Sequence, residues 1–313
     1  MSRNLNKFAS GIVSLIGSIP FSLRSQIGWW LGYSIAFFPF RDRLIATLQL
    51  QVFLKQFASS HHVRRTFANA SRTLFESFDL SPALSGSKYT ITIEGRDLLD
   101  NLRHSLRPTV ALTAHTGNWD LLGAYIVHQG IKVTTIGREA RNSLAQSILS
   151  SIRQRYGIQT LWRSDKTAIK KLISALKNGN VIAGLIDQDT RVSSSFVPFF
   201  GAPAKTPVSL ATLGIKHNAQ FVSAFLFRTS KHAFTLYLKP IKEGLSEDGI
   251  LMAYNKDLER LVRKHPEQWV WFHKRWRSLP DGTVLSTSKY IEHLKAILRR
   301  RRENEKDGCK EIF

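Results

Sequence analysis

Residues 109–114 read TVALTA, and the sequence HTGNWD follows at 115–120. A short apolar run of this kind is typical of a strand that is buried on both faces of a parallel sheet. Residues 181–186, VIAGLI, repeat the pattern. Around these two runs, strand and helix patterns alternate at the spacing of βαβ units. We therefore expect an α/β fold with a central, mostly parallel mixed sheet flanked by helices.

The predicted elements fill the middle of the chain. Strands are expected at 88–94, 109–114, 131–136, 158–162, 181–186, 220–227 and 232–239, and helices at 118–128, 142–155, 166–177 and 206–217. Ligands of such sheets bind at the carboxyl ends of the strands. The loops 115–120 and 187–191 follow the two buried runs and are therefore the predicted location of a site.

Length, charge and cysteine content narrow the class of protein. The chain has 313 residues, 43% of them hydrophobic, which suits one large globular domain. It carries 45 Lys and Arg against 23 Asp and Glu, a formal net charge of +22. Such an excess predicts an acidic partner: nucleic acid, an anionic membrane, or an acidic protein or substrate. The single cysteine, Cys309, excludes an internal disulfide and a Cys-rich metal site.

The two ends of the chain are both basic, and the first is also apolar. Residues 8–23 read FASGIVSLIGSIPFSL and residues 27–40 read IGWWLGYSIAFFPF. Neither run reaches the ~20 residues that cross a bilayer, whereas tryptophans with nearby arginines suit an anionic headgroup region. We expect 1–45 to be a membrane-associating segment, 46–285 the α/β domain, and 286–313 a basic helix and tail. The alternative for the amino-terminus is a pair of buried helices in a soluble core.

The carboxyl-terminal segment contains four consecutive arginines at 299–302. They close an apparent helix that begins near Ser288, and residues 303–313 are expected to be a frayed tail. The arginines suit either a solvated helix end or a contact with anionic lipid or an acidic partner.

His115 and Asp120 are the candidate catalytic pair. On one regular helix they would lie about 140° apart, so they can meet only if His115 is in the turn and Asp120 in the first helical turn. Gly117 permits a sharp turn there, and Asn118 or Thr116 can cap the helix. A carboxylate that keeps one imidazole nitrogen protonated leaves the other free to take a proton from a hydroxyl. The alternative is a structural histidine beside a helix cap.

Other chemistries lack their motifs. The sequence contains no G-x-S-x-G, H-E-x-x-H, G-x-x-x-x-G-K-[ST] or G-x-G-x-x-G. Metal and nucleotide chemistry are therefore disfavoured.

Four more motifs follow in order: IDQD at 186–189, FVPFFG at 196–201, KTP at 205–207 and QWVWFHKRW at 268–276. With HTGNWD, this set resembles the bacterial lipid A biosynthesis acyltransferases over roughly residues 10–280. The resemblance implies a glycerolipid-acyltransferase-like fold at the cytoplasmic face of a Gram-negative inner membrane. It implies an acyl thioester as co-substrate, usually on acyl carrier protein, with no bound cofactor and no metal. The acceptor would be a hydroxyl of a phosphorylated, Kdo-bearing lipid A precursor.

The resemblance also implies roles for the predicted site. His115 would be the general base, oriented by Asp120, and the backbone N–H groups of 117–119, with Gly117 and Asn118, would face the oxyanion. Arg138 and Arg163 would bind phosphate, unless they form surface ion pairs.

The remaining predictions concern the later motifs. Of Asp187 and Asp189, one is expected to support the site and one to cap a turn. Phe199 and Phe200 line an acyl groove or pack in the core, and residues 268–276 are expected to form a core strand with a basic, lipid-facing edge.

Two alternatives to the lipid A assignment stay open from the residues. Asp120 stands where the family often has Glu and where related mannolipid acyltransferases have Asp, so another glycolipid or a lysophospholipid could be the acceptor. A nucleic-acid-binding protein would explain the charge. It would not explain the His-Asp turn or the apolar amino-terminus, and we therefore expect no nucleic acid partner.

Overall fold

One seven-stranded sheet organises the protein in a computed structural model that describes residues 3–54 and 59–306. The described strands are β1 (Thr90–Glu94), β2 (Thr109–Thr113), β3 (Val133–Gly137), β4 (Gln159–Trp162), β5 (Val181–Leu185), β6 (Ser194–Phe199), β7 (Ala202–Pro207), β8 (Gln220–Ser230) and β9 (Ala233–Ile241). The sheet has the order β1-β9-β8-β2-β5-β3-β4, and β6 and β7 form a separate antiparallel hairpin. Within the large sheet, β8 and β9 pair antiparallel and the other neighbours pair parallel. The predicted mostly parallel mixed sheet is confirmed.

Helices cover both faces of the sheet. The described helices are α1 (Arg3–Gly17), α2 (Phe21–Ile35), α3 (Arg41–Leu54), α4 (Ser60–Ser77), α5 (Ser81–Leu84), α6 (Arg96–His104), α7 (Trp119–His128), α8 (Ser143–Arg155), α9 (Ala168–Lys177), α10 (Ser209–Lys216), α11 (Glu247–Lys264) and α12 (Thr287–Lys306). Most predicted elements agree with these bounds to within two or three residues.

β2 is the centre of the core. All five of its residues are buried. Val110 and Leu112 face one hydrophobic cluster, whereas Ala111 faces the other, because successive side chains of a strand point to opposite faces. Because both faces of β2 are packed, its carboxyl end has a fixed position, and the turn that follows starts from that point.

Several regions differ from the predictions. The β6–β7 hairpin and α11 were not predicted, and the helix expected at 206–217 begins only at Ser209 because residues 206 and 207 pair in β7. Residues 268–276 do not form a strand. They follow a short 3₁₀ turn as an irregular segment, of which Trp269 alone makes a β-bridge, to Thr116. The aromatic side chains of this segment pack on one another. Its backbone accepts hydrogen bonds from side chains of other elements and does not pair along a neighbouring strand.

The amino-terminal helices expose apolar side chains. No single described helix has the length and apolar character of a membrane span, although α1 and α2, bent by 100° at their junction, meet that test as a pair. Exposed side chains here include Leu15 (72%), Trp30 (61%) and Phe38 (69%). The other side of α2 packs closely on α4, where a Cβ on Gly32 would lie 2.3 Å from the Phe67 carbonyl oxygen.

The carboxyl-terminal helix begins as predicted. It continues to Lys306, beyond the point at 303 where fraying was expected. Arg301 donates to the Val52 carbonyl of α3, so this arginine belongs to a helix contact. Cys309 lies outside the described residues, and the division of the chain at 45 and 285 stays a prediction.

Candidate active site

His115 follows β2, and its partner is the carboxylate of Asp187, which follows β5. The imidazole Nδ1 and Asp187 Oδ1 are 2.8 Å apart, and the His115 backbone N–H donates to Oδ2 at 3.0 Å. The indole Nε1–H of Trp269 donates to the same Oδ2 at 2.9 Å. Because β2 and β5 are neighbouring parallel strands, the sheet itself brings the two residues together.

Asp187 is an ionised carboxylate with no exposed surface on its side chain. Burial alone would raise its pKa, but the charge of His115 and the hydrogen bonds from His115 and Trp269 outweigh it and lower the pKa to about 2. The carboxylate accepts the Nδ1–H of His115. In the neutral tautomer with its hydrogen on Nδ1, Nε2 is the nitrogen that can accept a proton.

Asp120 does not pair with His115, and the predicted pairing is corrected. Its Oδ2 accepts from the Ser77 hydroxyl at 3.1 Å, and its Oδ1 lies 3.6 Å from Arg153 Nε. Asp120 is in the first turn of α7, where its side chain meets α4 and α8 instead of the end of β2. The carboxylate five residues away along the chain thus supports the scaffold, and the one that meets the imidazole is 72 residues away.

The turn between β2 and α7 has the predicted glycine and cap. Gly117 has φ +50°, and a Cβ there would lie 2.0 Å from the Leu226 carbonyl oxygen. Asn118 Oδ1 accepts from Leu121 N at 2.9 Å, which is the expected helix cap. The Gly117 N–H donates to the Gln268 carbonyl at 2.8 Å. Of the predicted oxyanion donors, the backbone N–H groups of 118 and 119 therefore remain.

Arg138 and Arg163 lie at the same sheet edge. They follow the adjacent strands β3 and β4, and Arg163 N donates to the Gly137 carbonyl at 3.0 Å. Burial, and to a lesser extent the nearby charge of Arg138, lowers the pKa of Arg163. β3 lies two strands from β2, a distance of about 10 Å along the edge.

Asp189 binds the chain just after residues 268–276. Its Oδ2 accepts from Ser278 N at 2.9 Å and lies 3.7 Å from Arg277 Nε. Of the two predicted roles, Asp187 thus supports the site and Asp189 holds a turn. Within the described part of the chain, no group of three or more His, Cys, Asp or Glu side chains is arranged to hold a metal ion.

Phe199 and Phe200 lie in the aromatic core, as in the second of the two predicted alternatives. Phe199 is fully buried and stacks on Trp276 with 5.7 Å between ring centres, while Phe200 contacts Trp271. An apolar cavity lies instead on the other face of the sheet, under α7. Its walls include Ala111, Leu122, Ile126, Val133, Ile158 and Val181, and Trp119, Asp120 and Arg153 also line it.

The site contains aromatic residues that were not assigned to it from the sequence. Trp119 packs its ring edge-on against His115 with 5.2 Å between ring centres, and Trp269 binds Asp187. Both lie in motifs that carry the family resemblance. Their positions around His115 follow only from the tertiary packing, since Trp119 and Trp269 are 150 residues apart in the sequence.

Residues 4–278 match the family model described as bacterial lipid A biosynthesis acyltransferase. The chain is 26% identical over 283 residues to lipid A biosynthesis acyltransferase 2 of Shigella flexneri, a match that covers 85% of this chain and 88% of that protein. It is 23% identical over 301 residues to the lipid A biosynthesis palmitoleoyltransferase of Escherichia coli (strain K12), covering 92% and 94%.

Two further matches, one to a relative and one to a solved structure, cover less of this chain. Phosphatidylinositol mannoside acyltransferase of Mycobacterium tuberculosis (strain CDC 1551 / Oshkosh) is 24% identical over 189 residues, 59% of each protein. The crystal structure of the 1-acyl-sn-glycerophosphate acyltransferase from Thermotoga maritima covers 72% of this chain and 97% of its own, with 14% identity and a TM-score of 0.37.

Proposed function

The chain belongs to the bacterial lipid A biosynthesis acyltransferase family, and on that premise we propose that it is an O-acyltransferase of a lipid A precursor. The acyl group comes from a thioester, with acyl carrier protein as donor, and goes to a hydroxyl of a Kdo-bearing precursor. The observation that carries the proposal is the 2.8 Å contact between His115 Nδ1 and Asp187 Oδ1, which leaves Nε2 free as a base at the sheet edge.

The reaction follows from this pair. His115 Nε2 takes the proton of the acceptor hydroxyl as the oxygen adds to the thioester carbonyl, and Asp187 stabilises the imidazolium. The tetrahedral intermediate collapses with cleavage of the C–S bond, and the imidazolium returns its proton to the leaving thiolate. The backbone N–H groups of 118 and 119, at the start of α7, are placed to stabilise the oxyanion. No covalent acyl-enzyme and no cofactor is needed.

The acyl chain binds in the apolar cavity under α7. Trp119 lies at the cavity wall and also against the His115 ring, so the cavity begins beside the base. Along β5 it extends from Leu185 to Val181, which is about 13 Å at the rise of a strand. This length matches roughly ten carbons of an extended chain. The cavity itself has a volume of about 70 Å³, so binding of an acyl group requires α7 or the lining side chains to move apart.

A phosphate of the acceptor or of the donor binds at Arg138 and Arg163. A planar guanidinium pair suits phosphate oxygens, and the electrostatic coupling of the two side chains favours an anion between them. The formal charge of +22 favours both an acidic carrier protein and an anionic bilayer.

The protein acts at the cytoplasmic face of the inner membrane of a Gram-negative bacterium. The exposed apolar side chains of α1 and α2 support this location. Arg64 of α4 lies 3.7 Å from the ring centre of Phe37, so positive charge accompanies the exposed aromatic residues.

A second candidate acceptor is another glycolipid of the mannolipid type. The similarity to a phosphatidylinositol mannoside acyltransferase favours it. The enzyme chemistry is the same, and only the acceptor differs. A lysophospholipid acceptor remains the further alternative.

The decisive assay uses the purified chain in detergent with acyl carrier protein loaded with a medium-length acyl group. Mass spectrometry of a Kdo-bearing lipid A precursor is expected to show a gain of one acyl group. His115→Ala is expected to lose ~10²–10⁴-fold in rate, since that is the range for loss of a general base. His128→Ala, an exposed histidine at the end of α7, is the matched control. Transfer to a mannolipid and none to the lipid A precursor would favour the second candidate.

Lipid A from cells with and without the gene provides the test in vivo. We expect its mass to fall by one acyl group without the gene and to be restored by the wild type but not by His115→Ala. An unchanged lipid A profile would contradict the proposed acceptor.

A further inference from the structure

One face of α4 is polar although it is buried, and it lies against the turn that carries His115. The face consists of Thr73, Glu76 and Ser77, whose spacing of three and four residues places them on the same side of the helix. Each of the three is at most 3% exposed. Burying polar side chains is costly unless they bind specific partners, so the partners of this face indicate its role.

The two hydroxyl groups of this face bind residues on either side of Asn118. Thr73 Oγ1 donates to the Gly117 carbonyl at 2.5 Å, and Ser77 Oγ donates to Asp120 Oδ2 at 3.1 Å. Gly117 is the residue at which the chain turns with φ +50°, and Asp120 lies in the first turn of α7. The face of α4 therefore binds the turn both before and after Asn118.

Glu76 binds Asn118 itself. Its Oε2 accepts from Asn118 Nδ2 at 2.9 Å, while Asn118 Oδ1 accepts from Leu121 N at 2.9 Å as the helix cap. Both ends of the Asn118 amide are thus bound, which leaves its side chain one orientation. Because this amide caps α7, its orientation also determines where the backbone N–H groups of 118 and 119 lie. Those are the groups that stabilise the oxyanion in the proposed reaction.

The Glu76 carboxylate is in turn bound by two further elements. Ser25 of α2 donates its hydroxyl to Oε1 at 2.6 Å, and Arg228, near the end of β8, donates Nη2–H to the same oxygen. The carboxylate is 1% exposed, and the guanidinium group offsets its charge. A buried carboxylate with three donors is held in place, because moving it would leave buried donors without acceptors.

We propose that Glu76 is a positioning residue for acyl transfer, which holds Asn118 so that the backbone N–H groups of 118 and 119 face the oxyanion. This inference rests on the proposed function. Glu76 acts through Asn118 and the start of α7, not on the substrate, and Thr73 supports the same turn through the Gly117 carbonyl. A misplacement of ~1 Å costs up to ~10²-fold in rate, so loss of these contacts lowers kcat and leaves both KM values nearly unchanged.

Two single substitutions in the full chain test the contact between Glu76 and Asn118. Glu76→Gln keeps the size of the side chain, but its NH₂ group faces a donor of Asn118 in one orientation and a donor of Arg228 in the other. We expect kcat to fall ~10²-fold, with each KM within about threefold of the wild type. Asn118→Asp places a second carboxylate against Glu76 and is expected to lower kcat at least as far, because like charges repel.

The double variant Glu76→Gln with Asn118→Asp exchanges donor and acceptor. One oxygen of the new carboxylate keeps the bond from Leu121 N, and the other accepts from the new amide, so the contact is restored at the same net charge. We expect kcat to recover at least tenfold over Glu76→Gln. A contribution to stability alone would raise the thermal unfolding midpoint of the double variant without this recovery.

Glu259→Gln is the matched control. Glu259 of α11 also accepts from the N–H of another element, that of Phe200 at 2.7 Å, and pairs with an arginine, Arg263. It binds the chain after β6 and not the turn at 117–120, so we expect kcat within threefold of the wild type. Thermal unfolding of all variants separates loss of fold from loss of positioning.

Thr73→Val provides a second test that leaves Glu76 intact. It keeps the shape of the side chain and removes only the donor to the Gly117 carbonyl. We expect kcat to fall about tenfold, which is the contribution of one hydrogen bond, at unchanged KM.

The outcomes separate this inference from the proposed function. An inactive wild type would contradict the proposed function and the inference with it. With an active wild type and an inactive His115→Ala, a folded Glu76→Gln variant with kcat within threefold of the wild type would overturn the inference alone. A folded double variant no more active than Glu76→Gln would also overturn it, because Glu76 would then not act through Asn118. Should Glu76→Gln not fold, wild-type kcat in Thr73→Val would overturn it.

Discussion

At the scale of single residues, the site depends on which carboxylate meets which imidazole nitrogen. Asp187 reaches His115 Nδ1, and Asp120 reaches Ser77 and Arg153. An ionised carboxylate fixes the tautomer of a base, whereas a buried ion pair holds two helices in place. In the proposed reaction, the same side-chain chemistry thus serves catalysis at Asp187 and scaffolding at Asp120.

Substitutions to Asn distinguish the two carboxylates. Asp187→Asn removes the charge that stabilises the imidazolium and permits the wrong tautomer, so we expect kcat to fall ~10²–10⁴-fold. Asp120→Asn removes the charge facing Arg153, so we expect a loss of ~1–3 kcal/mol of unfolding free energy and a smaller loss of kcat. Kinetics with denaturant unfolding would measure both. A larger kcat effect for Asp120→Asn at unchanged stability would contradict the assignment.

At the scale of elements, the apolar cavity between α7 and the sheet is the proposed acyl site. Gly123 of α7 faces Ile158, and a Cβ at this glycine would lie 2.9 Å from Ile158 Cδ1. The absence of a side chain at Gly123 therefore helps to keep the cavity open.

Enlarging Gly123 should shorten the preferred acyl chain. Gly123→Ala pushes Ile158 into the cavity, and we expect at least a tenfold shift of kcat/KM toward shorter donors. Competition between donors of different chain length, read by mass spectrometry, would measure it. Gly249→Ala, in the first turn of α11 and away from the cavity walls, is the control. An unchanged preference would exclude this cavity as the acyl site.

The aromatic face of α2 and the residues after it provide the second element-scale prediction. Replacing Trp30 and Phe38 by Glu removes two exposed aromatic side chains and adds negative charge. We expect sedimentation with phosphatidylglycerol vesicles to fall at least tenfold, while activity on detergent-dispersed substrate is kept. Leu106→Glu alters a still more exposed apolar residue (82%) beyond α6 and should bind vesicles like the wild type. Equal binding by the double variant would contradict membrane docking through this face.

At the scale of the whole molecule, partly buried histidines with lowered pKa values make stability depend on pH. Burial lowers the pKa of His62, His265 and His273, the last to about 4. The unfolded chain binds protons at these positions near pH 6.5, and the folded chain resists them. Their contribution is therefore present above pH 6.5 and is lost as the pH falls toward 4.

Denaturant unfolding between pH 7 and 4.5 would measure this loss. We expect the midpoint to fall over the interval, and the fall to be smaller in His265→Phe and His273→Phe. Asp187 acts in the same direction at lower pH, because its depressed pKa of about 2 gives stability that is lost only below its ordinary range. A midpoint that is constant across the interval would contradict the assignment.

The hydrophobic periodicity of the sequence was sufficient to predict the parallel strands and the helices that connect them. A hydrophobic run such as 109–114 must be covered on both faces of its strand. The turn that follows is predictable because Gly117 tolerates a positive φ and Asn118 favours a helix cap. Local physics acts within a few residues, so these features can be recognised without a structure. The order of the motifs likewise indicated the family.

Only the tertiary structure decided which residues meet at the site. Asp187 reaches His115 because β5 lies beside β2, and segment 268–276 leaves the strand pattern because Gln49, Asp187 and Asp189 bind it from other elements. Sequence spacing carries no information on such pairings, since strand order and helix packing set them. The amino acid sequence by itself therefore determined the α/β layout and pointed to His115 as the candidate base, and the tertiary structure determined which carboxylate that histidine meets.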